Sequence, residues 1–140
     1  MDPVRRTIGG GVAGTIVLSV VLVIAEVEAR FQLGIGGTIS RYAGVPDQPA
    51  LGLLVFLVAG MVVFPLVFLA LEDYLTRLPG GRDPAIRGMA FSLPLWVVYV
   101  AVASPDLPSL RGALHLSFTL FAHLLYGFTL GAVYHSLRDV

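Results

Sequence analysis

The stretch that decides the fold is ALGLLVFLVAGMVVFPLVFLAL, Ala50 to Leu71, which holds no charged residue. An apolar run of about 18 or more residues can cross a hydrocarbon core of about 30 Å as a helix. A helix in a water-soluble bundle repeats apolar residues every third or fourth position and keeps charges on its outer face. This run is apolar all round, as contact with lipid demands. In lipid the backbone must pair its own N–H and C=O groups, which leaves helices and closed barrels. Barrel strands are about 10 residues long and alternate apolar with polar. An unbroken apolar run has the wrong pattern for that.

Working outward, three further apolar stretches flank this one: Ile8 to Val27, Gly88 to Ser104 and Gly112 to Tyr134. The expected fold is all-α: a polytopic membrane protein with four transmembrane helices in an antiparallel bundle. The helices are placed at about 8–27, 50–71, 88–104 and 112–134, with a long extracytoplasmic loop over 28–49. The 140 residues form a single domain, 1–140, and four spans with their connections leave no room for a soluble one. Arg5 and Arg6 precede an apolar run, as in a signal peptide. Val27-Glu28-Ala29 is a poor cleavage site, however, and the segment reads as a transmembrane anchor.

Composition narrows the function classes. There is no cysteine, which excludes disulfides, thiolate metal sites and cysteine-ligated clusters. Formal net charge is zero, so nothing points to nucleic acid as a partner. All nine basic residues are arginine, which reads as a compositional bias of the source genome. Their placement sets an orientation. Arg5, Arg6, Arg77, Arg82, Arg87 and Arg138 fall on one side of the four spans; Arg30, Arg41 and Arg111 fall on the other. The bias puts both termini in the cytoplasm of a prokaryotic cell, with the protein integral to its cytoplasmic membrane.

The connections are unequal. Asp83-Pro84 suits the start of the third helix, since aspartate caps free N–H groups and proline fits the first helical position. The third connection holds Pro105 and Pro108 and is short, so the second, third and fourth spans should be neighbours. Loop 28–49 is long and glycine-rich, and Leu33, Ile35 and Ile39 keep it at the membrane surface. It is either functional or a cover for helix ends. Pro65 and Pro94 fall inside spans, where each removes a backbone hydrogen bond and favours a kink.

Candidate site residues are few. Gly10 and Gly14, and again Gly127 and Gly131, have the GxxxG spacing that lets helix backbones approach closely, within the chain or against a partner. The fourth span is the most polar: His115, Ser117, Thr119, His123 and Tyr126. His123 lies near mid-membrane, where an ionisable group is costly and faces protein or a water-filled space. His123, Thr119 and Tyr126 are therefore the intramembrane polar candidates. A hydrogen bond from His123 to a carbonyl bared by Pro65 or Pro94 is the simplest role for it. His115 and His123 are the weak cofactor candidates. They lie eight residues apart, about 12 Å along the axis, so they cannot share one metal or haem iron. Haem would need histidines from another chain. Glu26 and Arg30 stand at i,i+4 as an ion pair. Glu26, Glu72 and Asp73 all sit at span ends, and the lack of a deep carboxylate argues against an ion pump. Tyr42, Tyr74 and Tyr134 fall near span boundaries, as interfacial aromatics do; Trp96 reads as a packing residue. No catalytic motif is present, and Asp106, His115 and Ser117 do not have the spacing of a triad.

Two stretches, GVAGTIVLSV (Gly11–Val20) and HLLYGFTLGAVY (His123–Tyr134), resemble a group of small four-helix membrane proteins of archaea and bacteria known only as domains of unknown function. That resemblance implies the same four-helix fold and gives no activity. Some such proteins accompany respiratory haem–copper oxidase subunits. On that basis the expected function is a non-catalytic accessory or assembly subunit of a larger membrane complex, with a respiratory terminal oxidase the leading candidate. Its partners would be the bilayer and other membrane subunits, or further copies of itself. A small homo-oligomeric transporter or channel, and a haem-binding electron carrier, are the alternatives. No cofactor is expected.

Overall fold

The computed structural model describes residues 1–29, 34–103 and 108–139. Its regular elements are helices: α1 (Pro3–Glu28), α2 (Ile35–Tyr42), α3 (Pro49–Val58), α4 (Phe64–Leu75), α5 (Pro84–Ala103) and α6 (Leu110–Ser136). A π-helical turn, Ala59–Val63, joins α3 to α4, so Pro49–Leu75 is one continuous span. Four helices are thus long and apolar enough to cross a membrane: α1, α3–α4, α5 and α6.

Local chemistry explains the boundaries. The α1 helix starts at Pro3, five residues before the apolar run, because the Asp2 carboxylate caps it by accepting from Arg5 N–H at 3.0 Å. At α5 the Asp83 carboxylate accepts from Ala85 N–H (2.8 Å) and Ile86 N–H (3.3 Å), which carries that helix back to Pro84. Ser109 caps α6 by accepting from Gly112 N–H. The stretch 28–49, expected as loop, contains α2. Glycines at 34, 36 and 37 hide it, and its cap comes from another helix. The Glu26 carboxylate of α1 accepts from Gly34 N–H (3.2 Å) and Ile35 N–H (3.0 Å). Ile35, Thr38 and Ser40 are its buried face.

The centre of the molecule is α6, which packs most extensively against α5 and α1. Glycine sets both contacts. A Cβ on Gly10 would strike Leu130, and one on Gly14 would strike Tyr126. On the other side a Cβ on Gly88 or Gly127 would fall on the backbone of the other, and one on Gly131 would fall on the Pro84 carbonyl. Along both contacts, residue numbers rise on one helix as they fall on the other. The α3–α4 span instead lies on α1, where Gly11 meets Pro65 and Gly60 meets Thr15. It touches α5 much less, so the second and third spans are weaker neighbours than their short connection suggests. Only 17% of its most apolar stretch is buried inside the chain. At the heart of the bundle Phe68 meets Phe91 and Tyr134 edge-on, at 5.6 and 5.8 Å between ring centroids.

Candidate functional site

The polar side chains of the interior gather between α2, α5 and α6. Tyr99 of α5 is the hub. Its hydroxyl shares a hydrogen bond with His115 Nε2 at 3.1 Å, and the two rings stack 5.7 Å apart. The Tyr99 ring also lies against His123 (5.5 Å) and Tyr42 of α2 (6.3 Å). One turn deeper, Trp96 Nε1–H donates to Thr119 Oγ1 at 3.1 Å, and Thr119 Oγ1–H donates to the His115 carbonyl at 2.6 Å. His115 and Thr119 are buried. Buried polar groups are tolerated only when paired in this way. The network therefore fixes α5 and α6 to each other and seats α2 over them.

Beneath α2 lies a cavity of ≈ 50 Å³, with Ile39 and Tyr42 above it and His123, Tyr126 and Gly60 below. An empty apolar cavity of about 150 Å³ accepts benzene; this one has room for a water molecule or two. His123 Nδ1 lies 2.7 Å from the Thr119 carbonyl. A carbonyl only accepts, so Nδ1 carries a proton and donates to it. His123 thus bonds along its own helix and does not reach a carbonyl bared by a proline.

That role belongs to Tyr126. Its hydroxyl donates to the Gly60 carbonyl of the π turn at 2.8 Å, with both groups buried. The reason lies in the chain. In the π turn Phe64 N–H bonds to Ala59, so the donor due to Gly60 is residue 65, and proline has no N–H. Pro65 and Tyr126 are far apart in sequence, yet one supplies what the other lacks. Thr15, packed on Gly60, has a buried hydroxyl with no hydrogen-bond partner.

A second polar cluster lies at the opposite end, where α1 and α5 begin and α4 and α6 finish. The Tyr134 hydroxyl donates to Glu72 Oε2 at 2.6 Å. Arg6 Nε–H donates to the Tyr134 carbonyl at 3.1 Å, and its guanidinium lies 4.2 Å over the Tyr134 ring. Arg87 faces Glu72 at 3.6 Å. All four spans contribute to this group. Tyr134, expected at the lipid interface, is 5% exposed; Tyr74, 66% exposed, is the one that faces outward.

The remaining sequence candidates are placed as follows. Gly10, Gly14, Gly127 and Gly131 all make contacts inside this chain, and Gly88, which no motif flagged, completes them. His115 and His123 both turn onto Tyr99. Glu26 caps α2; Arg30, its proposed ion-pair partner, and Asp106 lie outside the described residues. Among the described residues no group of three histidine, aspartate or glutamate side chains converges as a metal site. The sequence signal that could have found the Tyr126 bond was Pro65 at five residues beyond Gly60. Nothing local announces the Arg6–Tyr134–Glu72–Arg87 cluster, whose members are brought together by packing alone.

Four helices long and apolar enough to cross a membrane, packed around an apolar core with a polar cluster towards each end, define the class: a helical membrane protein. The family described as "Family of unknown function (DUF6789)" matches residues 1–140, and the chain belongs to that family. No curated protein and no solved structure matches it.

Proposed function

We propose that the protein is a non-catalytic accessory or assembly subunit of a larger membrane complex. It would form an antiparallel bundle in a prokaryotic cytoplasmic membrane, with the arginine-rich end and both termini in the cytoplasm. The observation that carries the reading is the α3–α4 span. It is the most apolar of the four and the least buried; it meets α1 along Gly11, Thr15, Gly60 and Pro65, α2 at Gly52, and the α5–α6 pair through Phe68 and the Tyr126 bond. Its remaining faces present Leu54, Val55, Val58, Val62 and Val67 outward, a smooth aliphatic surface suited to helix packing in lipid, where association rests on van der Waals fit. A respiratory terminal oxidase is the first complex to test.

The test is site-specific photocrosslinking in native membranes from Val55, Val62 and Val67, compared with Val20 and Val97 on other faces. The expected result is one membrane partner captured from the α3–α4 face alone, together with haem absorbance if the partner is an oxidase. A chain that is monomeric in mild detergent and crosslinks only to lipid from every face refutes it.

A small homo-oligomeric transporter or channel is the weaker reading, and its path would have to run between copies. The half of the bundle below Tyr126 is closed by the glycine contacts and by Phe68, Phe91 and Leu130, all buried. Haem bound between chains is weaker still, because His115 and His123 would have to leave Tyr99 to reach it. A colourless purified protein rules it out.

A further inference from the structure

The small cavity beneath α2 adjoins a larger space. A groove of ≈ 200 Å³ lies between α1, α2 and α3, and it shares Leu22, Ile39 and Phe56 with the ≈ 50 Å³ cavity as a common wall. Val23 and Leu53, which also line the groove, are exposed. The groove therefore opens sideways, on the face that hydrocarbon covers in a bilayer. It exceeds the cavity of about 150 Å³ that accepts benzene. The inner cavity takes only a group the size of a water molecule or two.

The two spaces differ in chemistry. The groove is walled by aliphatic side chains and Phe56, with Glu26 towards the end of α1. The inner cavity is lined by no charged side chain among the described residues. Four polar side chains reach its walls: Tyr42, Tyr99, His123 and Tyr126. The Tyr99 hydroxyl is committed to His115 and that of Tyr126 to Gly60. His123 uses Nδ1, towards the Thr119 carbonyl. Among the described residues the Tyr42 hydroxyl and His123 Nε2 have no hydrogen-bond partner, so they are the polar groups a ligand would meet there. A hydroxyl suits this pair, because it has one O–H to donate and lone pairs to accept. It can donate to Nε2 of a neutral His123 and accept from Tyr42 above it. A carbonyl oxygen would use Tyr42 alone. A carboxylate or ammonium head would lose its water in a cavity without a counter-charge.

We propose that groove and cavity together bind a neutral single-chain alcohol drawn from the lipid. Its hydroxyl sits between Tyr42 and His123, and its hydrocarbon lies between α1 and α3. Leu22, Ile39 and Phe56 are the side chains that move aside to admit it. The site needs no protein partner, so its failure would leave the accessory-subunit reading standing.

The test is photolabelling of the full chain in phosphatidylcholine nanodiscs with a diazirine-bearing octanol. Adducts are mapped by peptide mass spectrometry, with 1-octanol, octane and octanoate as competitors. Gly36 and Gly37 are neighbours on α2, and a Cβ on either meets nothing. Gly36 lines the groove, whereas Gly37 faces a separate hollow. Gly36→Leu therefore fills the site and Gly37→Leu is its control. Tyr42→Phe removes the inner hydroxyl and leaves the groove open. Each variant is checked for folding by circular dichroism and gel filtration. The expected result is adducts concentrated at Leu22, Ile39, Leu53 and Phe56. Gly36→Leu should cut them at least fivefold, Tyr42→Phe at least threefold and Gly37→Leu less than twofold. Octanol should displace the label at least tenfold more readily than octane or octanoate. Label spread evenly over the lipid-facing helices, displacement by octane as readily as by octanol, or labelling that Gly36→Leu and Tyr42→Phe both leave intact overturns the proposal.

Discussion

Replacing Tyr126 with phenylalanine deletes one oxygen and leaves the Gly60 carbonyl buried with no donor. Tyr126 is 2% exposed and the lost bond is 2.8 Å long, so the only replacement at hand is a water held in the adjoining ≈ 50 Å³ cavity. A buried group left unpaired costs about 1–3 kcal/mol. Hydrogen bonds between membrane helices average about 0.6 kcal/mol and reach about 1.7, because the loosened state finds other partners. Here the acceptor's own helix has no donor to offer, so the loss belongs near the upper end of that range. The expected cost is about 1.5 kcal/mol, roughly tenfold in the folding equilibrium. Reversible unfolding in mixed micelles measures it. The sharper test is a cycle with Pro65→Ala, which restores an N–H facing the carbonyls at 60 and 61. In that background Tyr126→Phe should cost less than about 0.5 kcal/mol, a coupling of about 1 kcal/mol. No loss in the parent chain, or the same loss in both backgrounds, refutes the reasoning.

Four further outcomes are expected. Gly88→Val should prevent a folded, monodisperse protein in gel filtration, because the added atoms fall on the Gly127 backbone, whereas Gly36→Ala on open α2 should stabilise by about 0.5–1 kcal/mol. Thr15→Val should be neutral or stabilising, since it removes a buried hydroxyl that bonds to nothing; a loss above about 1 kcal/mol in the same unfolding assay would show a hidden partner. Glu26→Ala should uncap α2, and hydrogen exchange at the amides of Gly34 and Ile35 should quicken roughly fivefold while those of α6 stay unchanged, for a cap worth about 1 kcal/mol.

What the sequence discloses follows from how local each cause is. The run Ala50–Leu71 is long enough to declare a span by itself, and Asp83-Pro84 declares a helix start from two adjacent residues. The glycine pairs on α1 and α6 state that backbones meet, but not which ones. Gly88 stands alone on α5 and becomes meaningful only against Gly127. The α2 helix has poor local propensity, and its cap is a carboxylate on α1, so no reading of residues 28–49 by themselves reveals it. His123 looked like the residue that would satisfy a broken helix because it is the more polar one. The choice of Tyr126 depends on reach across to Gly60, which is a property of the packed bundle. The same holds for Tyr134, whose place near a span boundary suggested lipid while its hydroxyl was already committed to Glu72.

The central position of α6 bears on how the protein is made. Its two chief partners, α1 and α5, both precede it in the chain. While the first three spans are entering the bilayer, the faces of Gly10, Gly14 and Gly88 have no mate, and the Gly60 carbonyl has no Tyr126. The fourth span therefore acts as a keystone: the slot between α1 and α5 is filled only once α6 is in place.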